Sequence, residues 1–259
     1  MGHVCERLIR LYVDQILDRN ELKMIYTGFT FDNDIKVIIN SFLELPIPFR
    51  PSRYSYGETF DRDAGAIENQ EEFNKFIEKS DSGFFLLGPG VSYNFKITKN
   101  KPILCDGFIE VGLDSVELFL ERICELNPIF GFACEPSELI RRNRISIKLN
   151  ENEIEAWVGF DVDKYVPGLY WMTIMSEALR KSHSISLDII ESASIGSSAF
   201  DCGLYMFRFH ERPDQWRGNL KVEDICRSLP GVFHIEDVLI QLSGVSDYLK
   251  LTSILREWK

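Results

Sequence analysis

D-V-D-K-Y-V-P-G-L-Y-W-M-T-I-M-S-E-A-L-R-K, residues 161–181, is the stretch on which the fold turns. A strand ends at its start, and Pro167-Gly168 makes a corner. Leu169 to Leu179 then sets Leu169, Met172, Ile174, Met175, Ala178 and Leu179 on one broad apolar surface, which predicts a helix. Arg180 and Lys181 suit the end of that helix, where the backbone dipole favours cations. Trp171 reads as a core anchor, and no catalytic motif lies anywhere in the stretch.

Upstream, Ile145 to Leu149 alternates apolar and polar residues. Asn150 to Asn152 turns and Ile154 to Phe160 returns, a predicted hairpin. Before it, two rounds of one pattern are predicted. In the first, strand Leu22–Phe31 precedes helix Ile35–Leu45, capped by Asp32 or Asn33 and ended by Pro46 and Pro48. In the second, strand Ile103–Val111 precedes helix Val116–Leu126, ended by Pro128. An offset of 80 residues superposes the rounds, with Ile39 on Phe119 and Leu43 on Ile123. Between them come helix Ile67–Lys79 and strands Phe84–Gly88 and Val91–Thr98. An amphipathic helix is read over residues 3–19.

Downstream, Ile185–Glu191 reads as a strand, Ser192–Ser198 as a loop, Gly203–His210 as a strand and Glu211–Gly218 as a loop. Three helices close the chain at Val222–Leu229, Ile235–Leu242 and Tyr248–Trp258. Helices and hairpin-joined strands without a parallel-crossover signature define α+β, largely antiparallel sheets flanked by helices. The expectation is one globular domain over 1–259, with related strand-helix-strand lobes at 1–100 and 101–259.

Composition narrows the function. Twenty-nine basic residues against 40 acidic ones leave a net charge of −11. That balance argues against nucleic acid, whose phosphates need a basic footprint. It suits a soluble cytoplasmic protein or one that attracts a basic partner. No run approaches the roughly 20 apolar residues of a membrane helix, and no export signal is read at the N-terminus. The six cysteines show neither metal-ligand spacing nor a disulfide framework. No metal and no cofactor is expected.

The four histidines form no ligand motif, and Ser197-Ser198 lacks the strained elbow of a nucleophilic serine. Carboxylates are the stronger candidates. Asp161 and Asp163 alternate on a strand end, so both point to one side, and Glu151, Glu153 and Glu155 do the same in the hairpin. Such sets serve as a solvated sheet face, a metal or proton site, or an acidic recognition surface. Aromatic residues in loops are the other candidates: Tyr54, Tyr56 and Phe60 beside Arg50 and Arg53, and Trp216 beside Glu211 and Asp214. Tyr, Trp and Arg dominate protein contacts because they join large area to polar ends.

The hairpin leading into P-G-L-Y-W (167–171) with the helix it opens, the strand G-L-Y-M-F-R-F (203–209) and the loop E-R-P-D-Q-W (211–216) together resemble the immunity proteins of bacterial polymorphic toxin and type VI secretion systems. The immunity protein 52 family is the nearest. The resemblance covers the C-terminal half. It implies a non-enzymatic cytoplasmic protein that binds and neutralises one cognate toxin, with the acidic balance suited to a basic one. The alternative is a hydrolase or transferase working through Asp161, Asp163 and Glu211, with a divalent metal.

Overall fold

The computed structural model describes residues 22–59, 63–149, 152–218 and 220–258. The helix expected over 3–19, Phe60 and Glu151 lie outside them. The protein is α+β, with antiparallel strand pairs and flanking helices. Its chain divides into two compact units, with the break at Ala133/Cys134 rather than near residue 101.

The first unit contains β1 (Lys23–Phe31), α1 (Ile35–Glu44), β2 (Arg53–Ser55), β3 (Gly65–Ala66), α2 (Gln70–Lys79), β4 (Gly83–Gly88), β5 (Val91–Lys96), β6 (Ile103–Val111) and α3 (Leu113–Cys124). β7 (Phe130–Cys134) ends at the unit boundary. The strands lie in the order β7-β1-β6-β5-β4-β2-β3. Asp34, not Asp32 or Asn33, caps α1, its carboxylate accepting from the Lys36 amide at 2.8 Å.

Alternate residues of the strands carry the core. Phe29 and Phe31 share one face of β1, Tyr93 and Phe95 one face of β5. Phe42 of α1 packs edge-on to Tyr93 and Phe95, with ring centres 4.8 and 5.3 Å away. Phe119 of α3 lies 5.9 Å from Phe29 and 4.9 Å from Phe49. All of these rings are buried, each contributing about 1.5–3 kcal/mol over an exposed position.

The two rounds read from sequence lie within this one unit. Their strands, β1 and β6, pair antiparallel, with Thr27 opposite Gly107. Those two positions are 80 apart, the offset of the pattern.

The second unit holds α4 (Pro136–Asn143), the hairpin β8 (Arg144–Leu149) and β9 (Asn152–Trp157), and β10 (Met172–Ser176). It continues with α5 (Glu177–Ser182), α6 (Leu187–Ala193), β11 (Gly196–Phe200), β12 (Leu204–Arg208), a 3-10 turn (Pro213–Gly218), α7 (Leu220–Ser228), α8 (Ile235–Leu242) and α9 (Tyr248–Glu257). β12 pairs antiparallel with both β10 and β11. The hairpin packs on α8 and α9 through Ile145, Val158, Phe233, Val238 and Leu251.

Four expectations are corrected here. The helix expected over Leu169–Leu179 is a strand, β10, followed by the short α5. Met172 to Met175 are all buried, and a run covered on both faces shows no alternation. The strand expected over Ile185–Glu191 is instead largely helical, as α6. Its buried residues, Ile190 and Ala193, are three apart, and Ile189, just before them, is exposed. The loop expected over Ser192–Ser198 contains the start of β11, a mostly exposed strand of small residues. Pro167-Gly168 is not the corner expected: the chain turns at 162–164 and bends at Trp171. Gly168 sits at φ 150°, a conformation that side chains disfavour.

Candidate functional site

Helix α4 gathers the polar groups of the second unit. Its sequence, E-P-S-E-L-I-R-R-N over 135–143, places proline at the first helical position, where its missing N–H costs nothing. Glu138 and Arg142 are four apart and share one face. Glu138 is fully buried, and its two oxygens are both bonded. Oε1 accepts from Arg142 Nε at 3.0 Å and Oε2 from the Trp171 backbone amide at 3.3 Å. The Trp171 indole in turn donates to the His210 carbonyl at 2.9 Å. At the end of α4, Asn143 donates to the Val158 carbonyl at 3.0 Å and accepts from the Tyr170 hydroxyl at 2.7 Å.

Glu135 binds the following turn. Its Oε2 accepts from the Trp216 indole at 2.9 Å and its Oε1 from Arg217 Nη2 at 3.0 Å. Arg217 also donates to Ser137 Oγ at 2.8 Å, and its guanidinium lies 5.3 Å from the Trp216 ring centre. The stretches 167–171 and 211–217 are thus both tied to one helix.

Burial dominates the electrostatics. It pushes Glu138 from its ordinary 4.5 up to about 7, against the pull of Arg142. Burial alone would lower Arg142, but the Glu138 carboxylate outweighs it and holds the guanidinium firmly charged. The Tyr170 hydroxyl and the Cys134 thiol are raised well above their usual ranges, again by burial. His210, 4% exposed, is lowered from 6.5 to about 4 by burial and by Arg142. Beside Arg142 lies a cavity of about 30 Å³, lined in part by Arg141, Gly168, Cys226, Arg227 and His234. Glu223 and Glu236 on its wall balance its outer arginines.

These shifts oppose each other in pH. Between about 4.5 and 7 the folded chain keeps a proton on Glu138 that the unfolded chain has released. Its contribution is full below about 4.5 and is lost as pH rises through about 7. His210 is the reverse: its contribution is full above about 6.5 and is lost as pH falls through about 4. Each is worth at most about 3 kcal/mol, and their slopes cancel between about 4.5 and 6.5. Denaturant midpoints are expected to change less with pH across that window in the unaltered chain than in a chain lacking either group. They should fall with rising pH in His210→Gln and rise with pH in Glu138→Gln. Parallel profiles in all three would refute the balance.

Of the residues singled out from sequence, Trp216 joins the α4 network. Glu211 and Asp214 are exposed on the same turn, Asp214 paired with Arg212 at 3.3 Å. Asp161 and Asp163 do not alternate on a strand end, because β9 stops at Trp157. They lie at a turn, where Asp161 Oδ1 accepts from the Asp163 amide at 3.3 Å and Oδ2 meets Lys164 Nζ at 3.2 Å. That is local turn chemistry. Glu153 and Glu155 do share a face of the hairpin, and cross-strand partners engage them, Ser146 and Arg144. Tyr54, 5% exposed, packs on Phe73 and Phe76 rather than facing outward. Tyr56 packs on Phe76 with ring centres 4.3 Å apart and planes tilted by 39°, and its hydroxyl donates to the Phe76 carbonyl at 3.3 Å. Both tyrosines belong to the first unit.

Sequence reasoning missed Glu135, Glu138, Arg142 and Asn143. The four-residue spacing of Glu138 and Arg142 was a usable signal, but exposed helices carry the same spacing. Among the described residues no group of three or more His, Cys, Asp or Glu is placed to hold a metal ion. No helix among them is long and apolar enough to cross a membrane. Comparison with family models, curated proteins and solved structures finds no match.

Proposed function

We propose that the chain is a non-enzymatic binding protein that neutralises a cognate toxin in the cytoplasm. One observation carries the reading: the turn 211–217 is tied to helix α4 by the chain's own side chains. Glu135 holds Trp216 and Arg217 together, while Arg212, Asp214 and Gln215 stand exposed around them. Tryptophan and arginine are the residue types that anchor interfaces, and fixing them beforehand lowers the entropy lost on binding. The charge of −11 favours a basic toxin. The resemblance read in segments 167–171, 203–209 and 211–216 points to the same role, although the chain after Trp171 is a strand where that resemblance carries a helix.

Co-expression with a growth-arresting protein encoded by a neighbouring gene tests it. Host growth is expected to be restored, with both proteins eluting as one complex. Trp216→Ala is expected to weaken that complex by about 2 kcal/mol, close to thirtyfold. Loss of growth with both proteins present and no complex would end the proposal.

A further inference from the structure

We draw no further inference here: the strongest candidate, the cavity of about 30 Å³ beside Arg142 where α4 meets the start of α8, belongs to the site already described, and nothing in the structure selects an occupant, since Glu223 and Glu236 on its wall offset Arg141 and Arg227.

Discussion

Arg142→Ala is expected to cost about 3–5 kcal/mol of stability, measured as the loss in unfolding free energy from denaturant titration. The loss follows from what remains behind. Glu138 would keep its place with no solvent exposure, holding only the Trp171 amide at 3.3 Å in place of two bonds. A lone buried carboxylate escapes by taking a proton, so the deficit should be larger at pH 8 than at pH 5. Replacing both partners, Glu138→Leu with Arg142→Met, is expected to recover most of the loss. That exchange removes the desolvation of two charges and keeps the volume filled. A single substitution costing under about 1 kcal/mol would show that the pair does not hold α4 to the 167–171 segment.

Gly107→Ala is expected to be nearly as damaging, at about 3 kcal/mol or more. A Cβ at this position would stand 1.8 Å from the Ser92 carbonyl oxygen and 3.1 Å from the Tyr93 Cα, and both are backbone. No rotamer change relieves that contact, so β5 and β6 must part at the pair Tyr93–Gly107. Gly112→Ala is the matched control. Nothing lies within 4 Å of its Cβ, and its effect should stay within about 1 kcal/mol. Equal midpoints for the two variants would mean that the β5–β6 ladder is looser than its register implies.

Much of the first unit was legible in the sequence. β1, β4, β5 and β6 alternate or concentrate β-formers between turn residues, and α1 and α3 stop at prolines. Apolar patterning and the proline stops located both strand-helix pairs before their pairing was visible. The closing helices were legible too, since α8 and α9 carry apolar residues at helical spacing.

The second unit was harder for a definite reason. In M-T-I-M-S the first four residues are all buried, so nothing in the pattern separates strand from helix. In I-S-L-D-I-I-E, apolar residues at 185, 187 and 189 imitate alternation, and only packing selects Ile190 and Ala193 as the inward face.

The site divides the same way. Trp216 was legible as a contact type, because residue chemistry travels with the sequence. Sequence by itself determined the α+β class, the acidic balance and the spacing of Glu138 and Arg142. Only the tertiary structure decided that this pair is buried, that Glu135 locks Trp216 and Arg217, and that Tyr54 faces inward. Spacing along the chain fixes which side chains share a face. Burial depends on what the rest of the chain places over that face.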